Sequence, residues 1–228
     1  MNIAIVYSSG HGHTRTVAEH IKLGVDAFPE AAADLIEITI KQIGEDGRWK
    51  DDAILNRLSA ADAIVFGAPT YMGSAHGLFK LFLETGFTPW LNQDWKDKIA
   101  AGFTNSASRS GDKLVSLQQI AAFAAQMGMI WVGVGDAPGG NYVATRPTDV
   151  NLSGSWLGLM TQSYGDGTAE TAPHPGDLLT SQRFGRRIAR TTARWTLGAT
   201  AFPALPVSES ESRRRNIAGP AEWDRFDD

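Results

Sequence analysis

An α/β fold is what the sequence predicts: a three-layer α/β/α sandwich around a five-stranded parallel sheet of order 2-1-3-4-5. Three observations carry that expectation. Short continuous apolar runs recur along the chain, and segments with apolar residues at helical spacing lie between them. The runs lack polar alternation, which suits strands covered on both faces. The loops after the first, third and fourth runs are rich in glycine and hydroxyl side chains, at the end of an open sheet where ligands collect.

The first run is Ile3-Ala4-Ile5-Val6, and Val17, Ile21, Val25 and Phe28 follow at helical spacing. Ser9-Gly10-His11-Gly12-His13-Thr14 is therefore a strand-to-helix turn. Its two glycines let the backbone curl tightly, and the Ser9 and Thr14 hydroxyls stand where free amides at a helix start favour an anion. The turn reads as a phosphate cradle, with an ordinary glycine-rich βα turn as the plainer alternative. It is not a P-loop, and a dinucleotide fingerprint would need a glycine where Arg15 stands. With no lysine in the loop, a singly phosphorylated ligand held by neutral donors fits better than a nucleoside triphosphate.

Asp34 to Ile38 reads as the second strand, Asp52 to Leu58 as a short helix, and Ala63 to Phe66 as the third strand, ending at Gly67-Ala68-Pro69. Leu78, Leu81 and Phe82 mark a helix face. Ile99 to Phe103 is the fourth strand, ending at Thr104-Asn105-Ser106; Leu114, Leu117, Ala121 and Ala124 mark the next helix, and Met129 to Val134 the fifth strand. Right-handed crossovers place the helices on both faces. Pro138, Gly139, Gly140, Pro147 and Gly154 make the stretch from Gly135 to Gly158 an irregular insert. Leu159 to Tyr164 resumes as a short strand, Gly165-Asp166-Gly167 turns the chain, and Phe184, Ile188 and Trp195 mark a last helix of about three turns. Residues 1–198 thus form one domain, with an insert at about 135–158. Residues 199–228 are a tail in which Arg213-Arg214-Arg215, Trp223 and Phe226 fit either a solvated segment or one that docks on a neighbouring subunit.

At 228 residues, with 43% hydrophobic and 20% charged side chains, the chain can bury a substantial core. A net charge of −4 points to neither a nucleic-acid surface nor a membrane-attracted basic protein. The absence of cysteine excludes disulfides, thiolate chemistry and Cys-ligated clusters. Neither a leader nor a membrane span is evident, so a cytoplasmic protein is expected. His11 and His13 lack the further converging ligands a metal needs, so no metal is expected. His76 reads as a surface or capping residue, and His174, next to prolines, as solvent-exposed. Trp131 and Trp195 read as core or interface residues, with Trp156 open to a role beside a ligand.

The resemblance to a known family rests on three loops. Ser9 to Thr14 resembles the phosphate loop of flavodoxins, with His11 replacing its middle threonine. Gly67-Ala68-Pro69-Thr70-Tyr71-Met72-Gly73-Ser74, with Lys80 and Phe82 after it, is similar to the second flavin loop of the flavodoxin-like NAD(P)H:quinone oxidoreductases of the WrbA type. Tyr164-Gly165-Asp166-Gly167 and the last helix also fit, so the resemblance spans roughly residues 1 to 195.

The family implies a flavodoxin-like fold and FMN as cofactor. Carried over by position, Ser9, Gly10, His11, Gly12, His13 and Thr14 would hold the phosphate. Pro69, Thr70, Tyr71, Met72 and Gly73 would line one side of the ring and ribityl chain. Thr104, Asn105, Ser106, Ala107, Ser108, Arg109 and Gly111 would close the other. Tyr71 or Met72 could supply a flat surface. Arg109 is a candidate to favour the anionic reduced flavin, against the plainer reading that it and Lys113 are solvated. The implied activity is an NAD(P)H dehydrogenase (quinone)-like flavoenzyme that passes two electrons from NAD(P)H to a small quinone-like acceptor by a ping-pong mechanism. The alternatives are a non-enzymatic flavodoxin-type electron carrier and a regulatory module with a repurposed cofactor site. The family further implies a homo-oligomer, dimer or tetramer, in which a neighbouring chain completes the site.

Overall fold

A computed structural model describes residues 1–168 and 170–201; the expected tail lies outside the described residues from position 202 onward. The central sheet consists of β1 (Asn2–Ser8), β2 (Ala32–Ile38), β3 (Ala63–Tyr71), β5 (Ile99–Ser106) and the short β6 (Ile130–Trp131), ordered β2-β1-β3-β5-β6. All these neighbours run parallel. Counted without the two-residue β4 (Ser74–Ala75), which folds back antiparallel on β3, this is the expected order 2-1-3-4-5.

Alternate side chains of each central strand feed two separate cores. Ala4, Val6, Ile64, Phe66 and Ala100 pack under α2 (Asp52–Ala60), α3 (Gly77–Glu84) and α5 (Lys113–Gln126). Ile3, Ile5, Val65, Ala101 and Phe103 pack under α1 (His13–Asp26) and α6 (Pro175–Ala201). A strand buried on both faces has no polar side to show, which is why its apolar runs are continuous. Helices α1 and α6 meet backbone to backbone: a Cβ on Gly24 would strike the Gln182 carbonyl, and one on Gly185 the Ile21 carbonyl.

The fifth strand is shorter than the expected Met129 to Val134. β6 pairs only with Ile99 and Ala100, and β7 (Leu159–Gln162) takes the rest of that edge, opposite Phe103 to Ser106. The insert leaves the sheet between them and is pinned by the buried Asn151, whose side chain bonds the Asp136 and Ser155 carbonyls. The last helix is 27 residues long rather than three turns, because its buried face begins before Phe184 with the polar Asp177, Thr180 and Ser181, which leave no apolar mark in the sequence. A short α4 (Phe87–Asn92) was not anticipated. On α5 the inward face is Ser116, Leu117, Ile120 and Ala124, whereas Leu114 points to solvent. Trp131 packs against the core, and the exposed Trp195 donates to the Asp97 carbonyl. Among the described residues no helix is long and apolar enough to cross a membrane.

Candidate functional site

The first loop joins β1 to α1. Gly12 caps the helix in the left-handed region, at φ 88°, with no side-chain cap and no acidic residue in the first turn. Amides left without a partner at a helix start are a ready site for an anion. Ser9 Oγ accepts the Arg15 amide at 3.3 Å, while the Arg15 guanidinium turns away to Glu37 on β2. His13 Nε2 meets the Gly167 carbonyl at 3.0 Å.

The second loop is the hairpin between β3 and β4. Met72 and Gly73 both have positive φ, 48° and 79°, the backbone of a tight primed turn. A non-glycine residue there costs roughly 1 kcal/mol, and Met72 holds that conformation with its side chain fully exposed. The Tyr71 ring lies edge-on to His76 at 5.2 Å and to His11 at 6.4 Å. Burial pushes the Tyr71 phenol up and the His76 imidazole down. Beneath them a buried cluster of hydroxyls locks β3 to β5 and α5: Thr70 bonds Thr104 at 2.8 Å and Ser116 at 2.7 Å.

The third loop runs from Ser106 to the start of α5. Lys113 is fully buried, contrary to its expected solvation, because the loop folds over its side chain. Burial brings it down to about 8, and burial raises the Asp177 carboxyl to about 6. A fourth loop, Ser163 to Gly167, follows β7. Ser163 Oγ donates to Asn105 Oδ1 at 3.0 Å. Tyr164 packs edge-on to His174, which is half-buried rather than solvent-exposed, with Oη and Nε2 3.1 Å apart.

The four loops enclose one cavity of about 850 Å³. The first contributes His11, His13 and Thr14; the second Pro69 through Gly73; the third Asn105 through Ser108 and Gly111. The fourth contributes Ser163, Tyr164, Gly165 and Gly167. Of the expected residues, Ser9, Gly10 and Gly12 shape the first loop without lining the cavity, and Thr104 lies beneath it. Arg109 faces a separate cleft of about 170 Å³, shared with Tyr164, His174 and the insert residues Thr145 and Arg146. Trp156 lines neither. The fourth-loop residues were not among the expected contacts, although Tyr164-Gly165-Asp166-Gly167 had already carried part of the resemblance. A second cavity of similar size, about 780 Å³, is walled mainly by the sides of α3, α4 and α5, away from the strand ends.

A family model described as NADPH-dependent FMN reductase matches residues 1–142. A Pseudomonas aeruginosa protein named flavodoxin FldP is 39% identical over 82% of this chain and 94% of its own length. An NAD(P)H dehydrogenase (quinone) of Geobacter sulfurreducens is 31% identical over 85% of this chain and 98% of its own. Among solved structures, a flavodoxin, WrbA-like protein from Agrobacterium tumefaciens is 34% identical, with a TM-score of 0.60 over 85% of this chain and 98% of that one.

Proposed function

The chain belongs to the flavodoxin-like NADPH-dependent FMN reductase family, and on that premise we propose that it is an FMN-dependent oxidoreductase passing two electrons from NAD(P)H to a quinone or similar acceptor in two half-reactions. The observation that carries this reading is the convergence of four loops on one cavity at the carboxyl ends of β1, β3, β5 and β7.

The residues present fit FMN. The start of α1, whose N-cap Gly12 brings no side chain and whose first turn has no acidic residue, suits a phosphate. The loop keeps its backbone open at Gly10, where a Cβ would strike the Tyr71 hydroxyl, and at Gly12, whose φ only glycine adopts freely. Bound there, the flavin supplies the hydride and electron chemistry. In this reading the first loop holds the phosphate, while Tyr71, Met72 and Tyr164 offer apolar surface to the ring. The Asn105 to Ser108 backbone then borders the ring's polar edge. No side chain need act as a nucleophile.

A homo-oligomer accords with the exposed apolar residues Met72, Tyr142, Val143 and Trp156, which a second copy would cover.

The second reading, a non-enzymatic electron carrier, is favoured by the relative named as a flavodoxin. Against it stands the weak net charge of −4, together with Arg183, Arg186, Arg187 and Arg190 along one stretch of α6. A carrier that docks through acidic surface would not be built so. Anaerobic NAD(P)H added to the FMN-loaded protein decides between them. The oxidoreductase bleaches at once, regains its flavin spectrum with a benzoquinone, and gives parallel double-reciprocal plots; a carrier's flavin ignores the nicotinamide.

A further inference from the structure

Lys113 opens α5 with its side chain fully buried. An ammonium there is unfavourable twice over, through desolvation and through the positive pole of the helix. Its hydrogen bonds show where it is used. Nζ donates to Ser106 Oγ at 2.9 Å and to the Ser108 carbonyl at 2.7 Å. The carbonyl between them, that of Ala107, accepts from Gln162 Nε2 at 3.0 Å. The Gln162 backbone amide donates in turn to the buried Asp177 at 2.8 Å. Ser106, Ala107 and Ser108 all line the cavity, which has no Lys or Arg among the described residues that wall it. At neutral pH an ammonium therefore stands directly behind this stretch of wall, and a carboxylate lies one hydrogen bond beyond Gln162.

We infer that Lys113 is a positioning residue that also sets the reduction potential of the bound flavin, its ammonium favouring, through the Ser106 to Ser108 wall, the negative charge that reduction adds. The inference rests on the cavity being the FMN site. Hydride transfer moves one proton and two electrons; the nicotinamide leaves oxidised and one unit more positive, and the flavin becomes one unit more negative. A cation held in a wall of low dielectric stabilises that product at no cost in reorganisation. Asp177 opposes it, so the two buried groups act on the potential with opposite sign.

Two substitutions separate charge from packing. Lys113→Gln keeps an amide donor for the Ser108 carbonyl and removes the charge. Asp177→Asn removes the opposing charge and keeps an acceptor for the Gln162 amide. The potential of bound FMN is read by dye equilibration, alongside Kd for oxidised and reduced FMN and thermal unfolding. Lys113→Gln should bind oxidised FMN nearly as wild type does and reduced FMN about tenfold more weakly, a drop of about 30 mV for a two-electron couple. Asp177→Asn should move the potential upward. An unchanged potential, or equal weakening of both redox forms, overturns the inference; if Lys113→Gln fails to fold, the absence of an upward shift in Asp177→Asn does so alone. A wild-type protein that binds no FMN overturns the cofactor reading instead, so the two failures are distinct.

Discussion

His13 Nε2 and the Gly167 carbonyl meet at 3.0 Å across 154 positions of chain. A carbonyl only accepts, so Nε2 carries the hydrogen. The bond ties the first residue of α1 to the loop after β7 and so joins the first and last walls of the cavity. His13→Ala should loosen that closure by about 1 kcal/mol, a roughly fivefold weaker FMN Kd by fluorescence titration. His13→Gln, which keeps a donor, should recover part of the loss.

Gly10 and Tyr71 are coupled through one contact. A methyl group at position 10 would run into the Tyr71 hydroxyl, with the ring carbon behind it 3.3 Å away. Gly10→Ala should therefore displace Tyr71 into the cavity and weaken FMN binding about tenfold, whereas Gly10→Ala combined with Tyr71→Phe should bind more tightly than Gly10→Ala alone. That non-additivity, measured as a double-mutant cycle, is the expected sign of direct contact.

The seam between α1 and α6 has no room for side chains at its two glycines. Gly185→Ala places a methyl group against the Ile21 carbonyl, a backbone atom that cannot rotate aside. The expected cost is about 3 kcal/mol, seen as a lower denaturation midpoint.

Buried Asp177 and Lys113 give stability two opposed pH limbs. Asp177 rises from 3.8 to about 6 on folding, so the native state binds more protons in that window and stability falls as pH rises through it. Lys113 drops from 10.5 to about 8, so the unfolded state binds more protons there and stability rises with pH between those values. Each window amounts to about 3 kcal/mol at roughly 1.36 kcal/mol per pH unit. In urea unfolding, Asp177→Asn should gain on wild type by about that amount between about pH 4 and pH 6 and hold the gain above.

Most of the sheet was legible because a strand buried on both faces writes itself as an unbroken apolar run, as in Ile3 to Val6 and Ala63 to Phe66. Three of the loops that line the cavity were legible because glycine and hydroxyl residues gather after those runs. Lys113 was not: a lysine in a polar loop reads as solvated, and its burial depends on Ser106 to Ser108 folding over it. Leu114 misled for a related reason, since the inward face of α5 is set by Lys113, Ser116 and Leu117, two of them polar. The split fifth strand was hidden because Ile130 and Trp131 look like the start of a full strand, and only tertiary pairing shows β7 completing that edge.

The most direct test of the cavity as the flavin site is FMN fluorescence titrated with the wild-type protein and with Gly12→Val. A β-branched residue cannot readily hold the φ of 88° that shapes the first loop. Wild type should quench the flavin at micromolar concentration or below, and a folded Gly12→Val should bind at least tenfold more weakly. No quenching by wild type, or equal quenching by a folded Gly12→Val, would contradict the assignment.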